Sequence, residues 1–383
     1  MSLHRKPLAA LVFALSIAAA PGALAATAIT LNAPNGLTTL AITAAPGGGF
    51  ALAAQELVAY DGGTDPRVHV FRYEDNGKLR WERVIERRGP QIAKAITYGP
   101  GEILYVAGLD GSELTANGYQ SMLVGYGPGG EVVKDEVFGE PAPVEDFLSG
   151  IGLAPDGDFF VSGRIKRTPE GTSDMQVMQI TPDGDTIWSV FEKNGSKESY
   201  PIVVSGMSGS FVVGTFENRR VFVSRIDGTA GTLSSFAGFS TERRCAVAQA
   251  TTLPDGGLVI GVNLSQGENE ARLVRIGGGG EVMWDVKVPG NSAIADLTLL
   301  PSGVVVVAGT SDDPDALTAQ AWLKAYDQDG KEIGEILPET AGQTRAGGVT
   351  LDHDGGVYFA YSPVDESIPA QPVPVIVERI RVD

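Results

Sequence analysis

The stretch LAPDGDFFVSG, Leu153–Gly163, sets Asp156 and Asp158 on either side of Gly157. Read alone it is half of a calcium loop, in which oxygen ligands alternate around a central glycine. Two near copies change that reading: TLPDGGLVIG at Thr252–Gly261 and LLPSGVVVVAG at Leu299–Gly309. The last has Ser302-Gly303 where the others have Asp-Gly, so the carboxylate is dispensable and the glycine is not. That pattern marks a strand-connecting turn, where a short polar side chain bonds nearby backbone and glycine takes positive φ.

Each copy opens a unit of the same plan. A strand of small residues enters the turn, and a strongly apolar strand leaves it. A polar loop then leads to a third strand, a second Gly turn and a fourth strand. The clearest units cover 146–194, 244–288 and 293–337, and weaker ones open near Thr38, Lys94, Pro201 and Ala346. Their first turns fall at Gly48, Gly101, Gly157, Gly209, Gly256, Gly303 and Gly355. Alternating and β-branched runs dominate, with no helical period.

A four-strand unit repeated seven times predicts an all-β fold, a seven-bladed β-propeller of antiparallel blades. Six or eight blades is the alternative count. The blades are expected at about 38–86, 91–139, 146–194, 199–240, 244–291, 293–340 and 343–383. First strands such as SGIGLA and AQATTL are small enough to crowd around an axis, and Trp81, Trp188 and Trp284 stand at matching places after the second turn. The last unit lacks a fourth strand, and the segment TAITLN, Thr27–Asn32, has no other role; the closing strand is expected at 28–33. It is expected to pair beside residues 374–382 and close the ring, which removes exposed sheet edges.

Ahead of that strand, MSLHRK, a short apolar run and Ala23-Leu24-Ala25 read as a signal peptide, 1–25, of bacterial style. A single domain over 26–383, exported to the periplasm or beyond, is therefore expected, with no membrane insertion. One cysteine, Cys245, permits no internal disulfide, so packing must hold the fold; the residue reads as a buried small hydrophobe. The formal charge is −18, and −20 once Arg5 and Lys6 leave with the leader. Such a surface repels nucleic acid and anionic lipid.

The repeats resemble those of bacterial secreted propellers of the quinoprotein-like kind, whose fourth strands carry a Gly-x-x-x-Trp element. Here it shows as NGKLRW, PDGDTIW and GGGEVMW. The resemblance implies the fold over nearly all of the chain after the leader. Quinoprotein alcohol dehydrogenases have eight tryptophan-bearing blades, an adjacent cysteine pair and an acidic base near calcium. This chain has four tryptophans and one cysteine, so the resemblance does not bring the cofactor.

Candidate chemistry is sparse. TPDGDTIW lacks the distal Glu of a calcium loop, and YDQDGKEIGE, with Asp327, Asp329 and Glu335, has the wrong length. The Gly-rich runs GYGPGG and GGGG lead into strands, whereas a phosphate cradle opens a helix. Beyond the leader only His69 and His353 remain, too few for an ordinary zinc site. Asp352, His353 and Asp354 are adjacent in a turn that cannot easily aim all three at one ion. No catalytic set, metal or cofactor is expected.

Binding residues are expected at the mouth of the central channel, where the first strands begin: Lys94, Asp146, Tyr200, Arg244, Asp296 and Arg345. The reading is a non-catalytic, monomeric module binding a protein or polymer partner. The alternative is a propeller enzyme, a metal-dependent lactonase or a quinone-dependent dehydrogenase, acting in the channel.

Overall fold

Short apolar runs become strands here because each buries a face against a neighbouring blade. The computed structural model describes residues 28–60, 63–111, 119–138, 145–166, 174–192, 201–265, 269–313, 318–338, 342–364 and 373–381. The expected signal segment, 1–25, lies outside these residues. Among them, strands form seven four-stranded antiparallel sheets, and helix is confined to one turn at Pro100–Glu102. Blades 1 to 6 are 38–84, 91–138, 145–192, 202–240, 244–288 and 292–336, each ordered as in the chain.

Blade 7 takes Gln343–Leu351, Val357–Val364 and Val375–Ile380 from the end of the sequence and Ile29–Leu31 from its start. Ile29 pairs with Val377 and Leu31 with Val375, antiparallel. The expected closing strand is thus in place. The first strands of consecutive blades touch one another round the full circle, the last against the first.

The turns that define the repeat all have the expected glycine geometry. Gly48, Gly101, Gly157, Gly209, Gly256, Gly303 and Gly355 each have positive φ, between 70° and 136°. At Gly157 (φ 93°) the Gly157 N–H donates to Ala154 O and the Ala154 N–H to Asp158 O. Blade 4 departs from the pattern, with a tighter hairpin that pairs Gly206 with Gly209.

There is no single core. Seven apolar clusters each join two adjacent blades, such as Tyr105, Phe159 and Val161 between blades 2 and 3. The cluster between blades 7 and 1 includes Leu31 and Leu37, 2% and 1% exposed. The tryptophans clasp the outer seams. Trp81, Trp188 and Trp284 donate their indole N–H to Pro128 O, Gly228 O and Gln328 O, each in the second turn of the next blade.

The first strands carry a feature absent from the sequence reading. In six of the seven blades the pairing with the second strand skips one residue: Leu40, Lys94, Ser149, Ala248, Ala295 and Gly347. These are β-bulges, and they bring the two strands very close. A Cβ on Gly163, the last residue of the opening stretch, would run into the carbonyl oxygen of Phe147 on the bulged strand. Gly163→Ala is expected to cost about 1–3 kcal/mol, as overpacking does, read by urea unfolding. A loss under about 0.5 kcal/mol, the range of a neutral surface change, would contradict this close packing.

Candidate functional site

All six bulged residues line one cavity of about 180 Å³ on the ring axis. A bulge re-aims a side chain out of the ladder, and here it sets Lys94 in the cavity wall, while the buried Ser149 hydroxyl donates to Pro201 O at 2.5 Å. Gln249 and Asp296, each next to a bulged residue, complete the polar lining. Lys94 and Asp296 are the only titratable groups among the described residues lining the cavity.

Asp296 is half-buried and bonded across blades. One carboxylate oxygen accepts from its neighbour Leu297 N–H at 2.8 Å, the other from Val349 N–H of blade 7 at 3.0 Å. Gln249 of blade 5 hydrogen bonds to it as well. Burial outweighs these bonds and pushes the carboxyl up to about 6. Lys94 projects into the cavity, yet surrounding protein lowers its ammonium pKa by desolvation.

The raised Asp296 carboxyl makes stability depend on pH. Between the ordinary value of 3.8 and about 6 the folded state holds the proton more often than the unfolded state. Stability therefore falls as pH rises through that window. At about 1.4 kcal/mol per unit, the contribution is about 3 kcal/mol. Relative to Asp296→Asn, the parent is expected to lose about this much stability between about pH 4 and pH 7. Urea unfolding of both proteins at the two pH values checks it, and parallel profiles would refute it.

Arg244 and Arg345 do not line this cavity. Arg244 begins the first strand of blade 5, and Arg345 is the third residue of that of blade 7; both are exposed. Asp146 pairs with Ile165 near the start of blade 3, and its side chain is outside the described set. Tyr200 lies outside the described residues altogether. Lys94 and Asp296 sit mid-strand, deeper than the mouth position expected for all six.

The carboxylates of the opening stretch serve the blade. Asp156 and Asp158 each accept from the Gln179 side-chain amide, at 2.9 and 3.0 Å, and Gln179 accepts from the Trp188 indole at 2.7 Å. Asp75, Asp352 and His353 bring ligand atoms within 4.8 Å of one another, an arrangement suited in outline to a metal. The Arg379 guanidinium already lies among them, 3.2 Å from Asp75, 2.6 Å from Asp352 and 2.9 Å from Asp354. Burial would raise the Asp352 carboxyl, but bonds from Arg379 and His353 hold it below the usual range. The hydrogen bond to Asp352 raises His353. This is an ion network binding blade 7 to blade 1, and its arginine fills the place a cation would take.

Two further features come from the fold. His69 is buried with both ring nitrogens on carboxylates, 2.9 Å from Glu56 and 3.0 Å from Glu82. Glu56 also accepts from the backbone and side chain of Asn35, tying the stretch between the closing strand and blade 1 to the second strand of blade 1. On the face that carries the Gly turns, a groove of about 210 Å³ lies between blades 5 and 6, lined by Pro254, Pro301, Val305 and Trp284 and rimmed by Asp255, Arg275 and Asp327. Cys245 is buried, and burial raises its thiol.

No protein-family model and no curated protein matches the sequence. Solved structures do match in fold. The WD40 repeats of RRP9 align with a TM-score of 0.57 at 10% identity, covering 92% of this chain and 97% of that one. A periplasmic gluconolactonase of Pseudomonas aeruginosa gives 0.56 at 14%, covering 81% and 94%. A Dyadobacter fermentans protein of unknown function gives 0.55 at 10%, covering 92% and 98%. At such identities the likeness is one of fold alone: this chain is similar to propellers of different kinds, and its own architecture is a closed ring of seven blades.

Proposed function

We propose that the protein is an exported, non-catalytic propeller that binds a protein partner through the groove between blades 5 and 6. The groove carries the reading: its floor is apolar and aromatic, its rim sets Asp327 beside an Asp255–Arg275 ion pair, and the chain has a net charge of −18. That combination suits an apolar anchor flanked by basic side chains, because charge complementarity speeds encounter and selects partners. The same charge disfavours nucleic acid. No helix of the described residues is long and apolar enough to cross a membrane.

Ser302 is exposed at the groove edge, in the first turn of blade 6, so Ser302→Arg adds charge and bulk there with little cost to the fold. Cross-linking in periplasmic extract, followed by titration of the captured protein, tests the proposal. The partner is expected to bind the parent at least tenfold more tightly than the variant, and more weakly as salt rises. Equal binding by both would remove the groove from the site.

The rival reading is a hydrolase acting in the channel. Asp296, with its raised carboxyl, is suited to acid–base work there. Its oxygens accept from the Leu297 and Val349 N–H groups, bonds that favour the accepting form over a proton donor. Turnover of a sugar lactone that Asp296→Asn abolishes would reverse the preference.

A further inference from the structure

The axial cavity has features that ring closure alone does not require. Six strands bulge at one level, and every bulged residue lines the cavity. Five of the six are small or aliphatic, and the sixth is Lys94, the cavity's only cation among the described residues. Gln249 and Asp296, joined by a hydrogen bond, stand across the ring on blades 5 and 6 while Lys94 stands on blade 2. We propose that this cavity binds a small hydroxycarboxylate, its carboxylate on Lys94 and its hydroxyl on the Gln249–Asp296 pair.

The size and charge of the cavity select this class. About 180 Å³ is below the roughly 300–1,000 Å³ of sites for drug-sized ligands. One ammonium suits a monoanion, and Asp296 opposes a dianion such as phosphate. An ammonium carries three donors, so a contact with one group does not exhaust it. An anion at Lys94 would also offset the desolvation that lowers the ammonium pKa. A carboxylate already bonded by Gln249 is a natural acceptor for a ligand hydroxyl, whereas an apolar acid would leave that side of the cavity unmatched. The site is independent of the groove between blades 5 and 6, so either proposal can fail without the other.

Isothermal titration of the full chain with lactate, propionate, glycerol and inorganic phosphate tests this. Lactate is expected to saturate one site, and the other three to bind at least fivefold more weakly. Lys94→Met is expected to weaken lactate at least tenfold. Ala248→Leu, which adds bulk at the cavity wall, is expected to abolish binding while thermal unfolding stays cooperative. Absence of saturable lactate binding, equal lactate binding by Lys94→Met, or tighter binding of phosphate than of lactate would overturn the proposal.

Discussion

A chain lacking residues 28–33 is expected to melt about 5 °C or more below the parent. The loss has two sources. Leu31, 2% exposed, leaves the cluster between blades 7 and 1, and burying a leucine of this kind contributes about 2–5 kcal/mol. The three-residue ladder to Val375–Val377 goes with it, which uncovers a strand edge and invites pairing between molecules. Calorimetry should therefore show a lower transition, with light scattering rising on heating. An unchanged transition would mean that the ring holds without its closing strand.

Arg379→Met is expected to cost about 3–5 kcal/mol, the usual range for breaking a buried ion pair by removing one partner. Asp352 is 2% exposed and would keep its charge next to His353 alone among its cationic partners. Asp75 and Asp354, more exposed, would lose the same arginine. Adding Asp352→Asn to Arg379→Met should recover part of the loss, since it removes the stranded carboxylate. Urea unfolding of the two single variants, the double variant and the parent measures this coupling. A cost under about 1 kcal/mol for Arg379→Met would place the network among solvated surface pairs. As pH falls through the depressed Asp352 value, the parent should lose this contribution, because a carboxyl with a lowered folded pKa stabilises only while ionised.

The architecture was legible because it depends on local chemistry repeated seven times. Gly157 and its six counterparts all take positive φ, a demand that a single glycine states in the sequence. The three tryptophans recur at one place because each meets the same turn of the next blade. The closing strand could be inferred from a shortage, one strand missing at one end and one spare at the other.

The cavity was less legible. Lys94 and Asp296 were singled out as mouth residues from their place near strand starts, but their depth is set by bulges. A bulge is a property of two strands in register, and no single segment announces it. Gln249 and Ser149 were missed for the same reason. The Asp352–His353 turn was visible as a cluster, yet its decisive member, Arg379, comes from a strand that only the fold brings alongside.

The manner of closure gives the molecule an interchangeable starting point. Since Ile29 lies opposite Val377 in an antiparallel pair, the segments before Ile29 and after Ile380 leave blade 7 at the same end. That gap stands where blades 1 to 6 have their second Gly turn. The protein is thus a circle cut at one of seven equivalent hairpins. Joining the two segments with a short glycine-containing loop and opening the chain at another such turn, such as Gly280, yields a permuted polypeptide with every strand pair retained.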